Sequence, residues 1–456
     1  MSEKQLSFVS DKYALSHSPV IPFDEKVGFY VTMPWRNYAI PYEFTGWRDE
    51  QMSWKETAYI SAGLNPSPTY VFKGPEAFKF ISENLTNGIE KLEIGGARHG
   101  VMCNEDGILV SDGLLLRTGE DEFLTHWLAP YIAYRLETGG YDAIGKYLTG
   151  KVYFFQVAGP RSLEILEAAS GDNLHNIEFM HHRMSNINGK PCRILRVGMA
   201  GTLAYEVHGD LEDAHEVYNA IFTAGKPFGI RKLGYHTYLM NHTEDGFPQA
   251  YYHFPYAWED DKGFQQYMKE KGTKQGAKPL LRGSMGPDIK LRYRNPVEHG
   301  WEKTINFNHD FRGKEALEKL AAKPNKKMVT LVWNKEDIFD VYRSQFELGE
   351  PYLNMDEPYH FLYHYGNQEL WADQVLNEEG KLIGCSSGRA YSYKYREMLS
   401  LCPIDVEYSE LGTEVTVVWG EAGTRQKKIK AVVSRFPYLN ENRNENIDVN
   451  IIPYQK

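Results

Sequence analysis

Cysteine is scarce here: Cys103, Cys192, Cys385 and Cys402 are the four among 456 residues, and no two form a C-x-x-C pair. Such spacing excludes a thiolate zinc site and suggests no disulfide framework, so reduced, mostly buried thiols are expected. Uninterrupted apolar runs long enough to span a bilayer are missing too. The opening "MSEKQLSFVSDKY" lacks the apolar core of a secretory signal. Together these absences predict a cytoplasmic chain with no membrane partner. Basic residues are short: the net charge is -10 and no Lys/Arg stripe occurs, which argues against a nucleic-acid partner. Neither G-x-G-x-x-G nor a P-loop is present, so no dinucleotide or nucleoside-triphosphate fingerprint exists. No G-x-S-x-G or Cys/His arrangement points to acyl transfer. His175, His181 and His182 make no convincing ligand set, and no metal is expected.

Ordinary globular material fills the space these absences leave, at 42% hydrophobic and 25% charged residues. A chain of this length exceeds one core and predicts two or three packed units. The first half alternates helix and strand patterns. "GPEAFKFISENL" (74–85) has helical spacing, "VYFFQVAGPRSLEILEAA" (152–169) reads strand, turn, helix, and "DAHEVYNAIFTAGKPFG" (213–229) is a helix closed by glycine. "GILVSDGLLLRT" and "EFLTHWLA" flank the polar "GEDE" and predict a hairpin. Residues 245 to 300 lose periodicity and read as one long functional loop. After a break at "AAKPNKK", "KLIGCSS", "EVTVVWG" and "IKAVVSRF" predict a small β-rich domain. The boundary falls between 1–325 and 326–456.

Three features carry chemistry. "LRVGMAGTLAYEVHG" (195–209) places a small-residue turn, Gly198 to Gly201, before a strand holding a lone acid, Glu206. A carboxylate on a strand is ordinarily a solvated polar face. Its functional alternative is bidentate capture of two parallel N–H donors, such as a pterin ring offers, with the glycines admitting a flat ring close to the backbone. Asp112 interrupts an apolar strand beside Gly113, where a carboxyl needs a partner or a job, unless a turn or bulge accounts for it. Tyr251, Tyr252, His253, Tyr256 and Trp258 crowd one stretch. Aromatic packing explains most such residues, yet a phenol, with its pKa of about 10, matches an aryl oxygen leaving group as proton donor.

At these residues the sequence resembles the folate-dependent aminomethyltransferase (glycine cleavage T-protein) family, and within it the tetrahydrofolate-dependent aromatic O-demethylases. The resemblance runs from "WRDEQMSW" (47–54) to "KAVVSRFPY" (430–438) through "VSDGLLL", "TGGY", "FQVAGPRSLEIL", "RVGMAGTLAYEVHG", "NHTEDGF", "FNHDFRGKEALE", "KKMVTLVWN" and "GTEVTVVWGE". It implies an α+β fold, two intertwined α+β domains forming a T-protein-like ring around a folate cavity, followed by a C-terminal β-barrel. It also implies that Glu206 holds the pterin, with Asn241, Glu244, Gly201 and Tyr205 as further cofactor contacts and Gly246 on the same "N-x-x-E-x-G" stretch. Asp112 would stand near folate N5 and Tyr256 would be the catalytic tyrosine, with Tyr251 and Tyr252 as alternatives. Tyr252, Trp258 and His126 would meet the substrate. The family's substrate-side histidine stretch corresponds to "LNPSP" (64–68), and its carboxylate-binding arginine falls around Thr125-His126. An unpaired carboxylate in a closed site is costly, so the expected donor is uncharged. The implied activity moves a methyl group from a methoxylated arene, of the kind met in lignin breakdown, to N5 of tetrahydrofolate. Alternatives are N-methyl, sulfonium or methylenedioxy donors, or a folate-binding protein without chemistry.

Overall fold

Strand Ala58–Ser61 begins a sheet that the chain leaves at once and completes only after Val152. In this computed structural model, residues 16–32, 38–63, 65–272, 279–359 and 369–455 are described. The stretch "MSEKQLSFVSDKY" and Leu64 of "LNPSP" lie outside them. The first sheet runs, in spatial order, His182–Ile187, Lys190–Leu195, Ala204–Asp210, Val152–Ala158, Ala58–Ser61 and Ile230–Lys232. Its last strand pairs parallel with Ala58–Ser61, and the other pairings are antiparallel. Between the two visits the chain builds a second sheet in the order Ala97–Cys103, Leu109–Arg117, Glu122–His126, Thr69–Lys73 and Ile144–Tyr147. The expected hairpin is there, with Arg117 opposite Phe123.

Side-chain alternation decides what each face does. Tyr205 and Val207 of strand Ala204–Asp210 enter a core with Leu163 and Leu166 of helix Ser162–Ser170 and Val217 and Ile221 of helix Ala214–Gly225. The second sheet meets helices Ala77–Asn84 and Tyr131–Thr138 through Phe80, Ile81, Ile132 and Leu136. The two remaining faces meet each other. Phe154 and Leu195 of the first sheet share a buried cluster with Ala97, Leu114 and Leu116 of the second.

Two expectations need correction. Asp112 sits at neither a turn nor a bulge: strand Leu109–Arg117 is continuous there, with Asp112 opposite Val101 and Gly113 opposite Gly100. A Cβ on Gly113 would lie 2.2 Å from the His126 carbonyl oxygen, so the glycine serves the close approach of the neighbouring strand. Within the supposed loop of 245–300 lies helix Lys262–Glu270, whose N-terminal Phe264 N–H is capped by Asp261. Phe264, Tyr267 and Met268 bury one face of it, an i, i+3, i+4 stripe short enough to escape notice among prolines and glycines.

The C-terminal region forms a six-stranded closed barrel. Strands Glu369–Leu376, Leu382–Ser392, Glu397–Asp405, Lys326–Trp333, Lys427–Ser434 and Glu414–Trp419 follow one another, and the last pairs back onto the first. Trp333, Trp419, Val417 and Ile404 fill it. Strand Leu280–Arg282 adds in parallel to Glu369–Leu376. All four cysteines are buried and free. Among the described residues, no helix is long and apolar enough to cross a membrane.

Candidate active site

Glu206 lies on the sheet face that looks toward the second sheet, between Gln156 and Leu195 of the flanking strands. It is 1% exposed. One carboxyl oxygen receives the Gln156 amide at 3.5 Å. Gln156 accepts from the Tyr59 hydroxyl at 3.4 Å, which in turn accepts from Asn241 Nδ2 at 3.3 Å. The other oxygen lies 3.3 Å from His208 Nε2. Behind His208 stands His126 of the second sheet, ring centroids 4.5 Å apart, with Phe154 stacked on His208. Burial pushes the Glu206 carboxyl well above its usual range. Burial also holds His208 well below its usual value, and neighbouring His126 and Arg193 add to this.

These partners are long for hydrogen bonds to a carboxyl, and Asn241 Oδ1 has none among the described residues. The group thus offers unspent acceptors inside a closed region. A flat ring edge with two parallel N–H donors fits that donor–acceptor balance. The residues present therefore suit a reduced pteridine.

A second polar cluster forms on the opposing sheet. Asp112 Oδ1 accepts from the Tyr256 hydroxyl at 2.7 Å, while the Asp112 backbone N–H donates to the same phenol oxygen at 3.1 Å. Asp112 Oδ2 lies 2.9 Å from His99 Nε2. Burial, and then the facing Asp112 carboxyl, raise the Tyr256 phenol well above its ordinary value. The proton is thus held firmly on the oxygen. Aromatic rings continue from there. Tyr256 packs against Trp258 at 5.3 Å and Phe254 at 5.7 Å. Phe254 meets His299 at 4.3 Å. Trp301 touches both His299, at 4.7 Å, and His99, at 4.6 Å.

Several expected contacts are placed differently. Tyr205 projects from the face opposite Glu206 into the helix-covered core; the period of two in a strand makes neighbours point apart, so it does not join Glu206. The turn at Gly201 (φ +72°) does not leave room for a flat ring. A Cβ there would strike the Asp245 carboxyl and the Arg443 guanidinium. Glu244 is committed to an ion pair with Lys55 at 2.6 Å and accepts from Ser392 of the barrel at 2.5 Å. Tyr252 turns toward the barrel, its hydroxyl 3.5 Å from the Arg389 carbonyl oxygen. His126 accepts or donates at Thr69 Oγ1, 3.0 Å, and lies on the Glu206 side rather than beside Tyr256. Trp258 stays near the phenol with its indole N–H on the Val110 carbonyl at 2.5 Å. Of the three tyrosines weighed, Tyr256 is the one hydrogen-bonded to Asp112. The reading from sequence missed His99, Tyr59, Gln156 and His208. The last had a signal, since Glu206 and His208 stand two apart in one strand and share a face.

Comparison with known proteins gives four results. The GCVT N-terminal domain pattern matches residues 30–253. Sesamin methylene transferase from a Sinomonas species is 44% identical over 423 residues, covering 91% of this chain and 93% of that protein. Syringate O-demethylase from a Sphingobium species is 31% identical over 425 residues, 88% of this chain and 90% of the other. Among solved structures, the glycine cleavage system aminomethyltransferase T from Bartonella henselae aligns with a TM-score of 0.68 at 16% identity, covering 94% of this chain and 99% of that one. At that identity the likeness is one of fold.

Proposed function

The chain belongs to the glycine-cleavage T-protein family of aminomethyltransferases, and we propose that it moves a one-carbon unit from an aryl ether oxygen to tetrahydrofolate. One observation carries the reading: a buried phenol, Tyr256, hydrogen-bonded at 2.7 Å to Asp112 of the second sheet, the sheet whose Ala97, Leu114 and Leu116 pack against Phe154 and Leu195 of the sheet that bears Glu206. An aryl ether resists cleavage because its leaving group is a basic phenolate. It needs a nucleophile held in line and a proton at the departing oxygen. Tetrahydrofolate, when bound, supplies N5, which takes the carbon as the C–O bond breaks and sheds the proton that balances the O–H gained.

This chain's residues supply the rest. Glu206, steadied by Gln156 and His208, holds the donor edge of the pteridine, with Asn241 beside it. Tyr256 redirects its O–H from Asp112 to the ether oxygen, and the Asp112 amide N–H remains on the phenol oxygen as negative charge grows there. An ordinary phenol and an aryl oxide have similar proton affinities; the raised affinity at Tyr256 keeps its proton in place until negative charge develops on the ether oxygen. Alignment of two bound molecules contributes most, up to about 7–11 kcal/mol in favourable cases. Glu244 serves the site indirectly by fixing the helix that carries Asn241. Trp258 and Phe254 offer apolar ring faces for an uncharged arene. We propose residues 1–325 as the folate-binding region and 326–456 as the barrel domain, with a cytoplasmic location.

A second reading has its own support. The relative at 44% identity is named a methylene transferase, and a methylenedioxy arene contains the same aryl C–O bond twice. The two readings differ in product. Incubation with tetrahydrofolate and a panel of sesamin, syringate, 2-methoxyphenol, 1,2-methylenedioxybenzene and a dimethylsulfonium compound, read by mass spectrometry, separates them. A 5-methyl folate from a methoxyarene supports demethylation, and a methylene folate from a methylenedioxy arene supports the second reading. Folate product from the sulfonium alone, or from no donor, removes the aryl ether reading.

A further inference from the structure

We infer that His99 is a positioning residue for this chemistry, acting on Tyr256 through Asp112. The inference rests on the aryl ether reading above and concerns a residue outside the pteridine contacts. The register of the second sheet creates the relationship. His99 lies opposite Leu114 and Asp112 opposite Val101, so the two are diagonal neighbours on one face of adjacent strands. Their side chains meet at 2.9 Å. A carboxylate has only lone pairs to offer, so His99 Nε2 carries the hydrogen. The ring cannot turn freely, because Phe247 and Trp301 pack edge-on against it at 5.0 and 4.6 Å.

Two consequences follow from that fixed N–H. First, it pins Oδ2 and thereby stops the carboxyl from rotating, which keeps Oδ1 aimed at the Tyr256 hydroxyl. Second, it draws carboxyl charge toward Oδ2. As Tyr256 yields its proton, negative charge develops 2.7 Å from Oδ1, and charge held at the far oxygen opposes it less. The proton accounting is unchanged: the Tyr256 O–H breaks, the aryl O–H forms, and His99 retains its hydrogen. His99 therefore touches neither donor nor folate, and removing its N–H slows the reaction without weakening folate binding.

Single-turnover rates at saturating folate, measured with whichever aryl ether of the panel the parent turns over fastest, test this. His99→Phe preserves a ring between Phe247 and Trp301 but deletes the donor. His99→Gln restores an N–H near the same point. The expected result is a loss of about tenfold or more in His99→Phe with folate affinity unchanged. Recovery to within about threefold of the parent is expected in His99→Gln, and almost no added loss when His99→Phe is combined with Tyr256→Phe. A parent-like rate in His99→Phe, a weakened folate affinity in that variant, failure of His99→Gln to recover, or losses that multiply in the double variant each overturn the inference. The underlying reading fails separately: Tyr256→Phe at the parental rate, or a parent inert toward every aryl ether, removes both.

Discussion

Lys55 Nζ stands 2.6 Å from Glu244 Oε2, with the two side chains 1% and 0% exposed. Trp54 lies under the ammonium at 4.2 Å, and Ser392 of the barrel donates to the other carboxyl oxygen. Three separate pieces of chain are thus joined at one buried charge pair: the segment before Ala58, the helix carrying Asn241, and the barrel. Breaking such a pair from one side strands the other charge, which costs about 3–5 kcal/mol. Lys55→Met is expected to lose that much stability in urea unfolding. Lys55→Met combined with Glu244→Leu is expected to regain most of it, because neither charge is then left alone.

Glu206 predicts a split between binding and stability. Glu206→Gln removes a carboxyl that burial already disfavours as an anion, so the unfolding midpoint should not fall. The carboxamide presents a donor where a ring N–H arrives, so tetrahydrofolate affinity should drop by about tenfold to a hundredfold, the cost of leaving a buried donor unsatisfied. Thermal unfolding checks the first outcome and fluorescence titration with tetrahydrofolate the second.

Tyr256→Phe keeps the ring packing against Trp258 and Phe254 and removes the proton. Turnover of an aryl ether is expected to fall by about a hundredfold to ten-thousandfold, with folate affinity within about twofold of the parent. A sulfonium donor needs no acid at its leaving group. Parental rates with the sulfonium in this variant, beside collapse with the ether, assign Tyr256 to oxygen protonation.

His126 gives a pH dependence. Burial, with Arg193 adding, lowers its imidazole to about 3 in the folded chain, against about 6.5 unfolded. Below pH 6.5 the unfolded chain takes a proton that the folded one refuses, so stability is full above that pH and falls as the solution is acidified toward 3. From pH 6.5 to 5 this residue alone predicts a loss of about 2 kcal/mol. His182 and His242, both lowered to about 4 mainly by burial, pull the same way. Urea midpoints at pH 7.5, 6.5 and 5.5 should fall more steeply in the parent than in His126→Gln.

Much of this was legible in the chain before its structure. The hairpin around "GEDE" and the strand-turn-helix at 152–169 rest on local periodicity, and so does the placement of Glu206 on a strand. Tyr205, a cofactor contact by the resemblance, points elsewhere for a local reason: a strand sends neighbours to opposite faces, so Tyr205 and Glu206 part. The choice among Tyr251, Tyr252 and Tyr256 had no local answer. The turn with Tyr251 at φ +60° aims Tyr252 at the barrel and Tyr256 at Asp112, and both targets lie more than a hundred residues away. His99 was invisible for the same kind of reason, since strand register, not spacing, brings it to Asp112.

The strand Ala58–Ser61 acquires its neighbour Val152–Ala158 only after the whole second sheet has been laid down between them. During synthesis its hydrogen-bonding edges wait on nearly a hundred residues of later chain. A truncation or gene fusion cut near residue 150 would therefore not yield one sound half and one missing half. It would leave the carboxyl half without an interior strand of its own sheet and the amino half with an orphan. Engineers dividing the chain should place their joints beyond this interleaved pair of sheets.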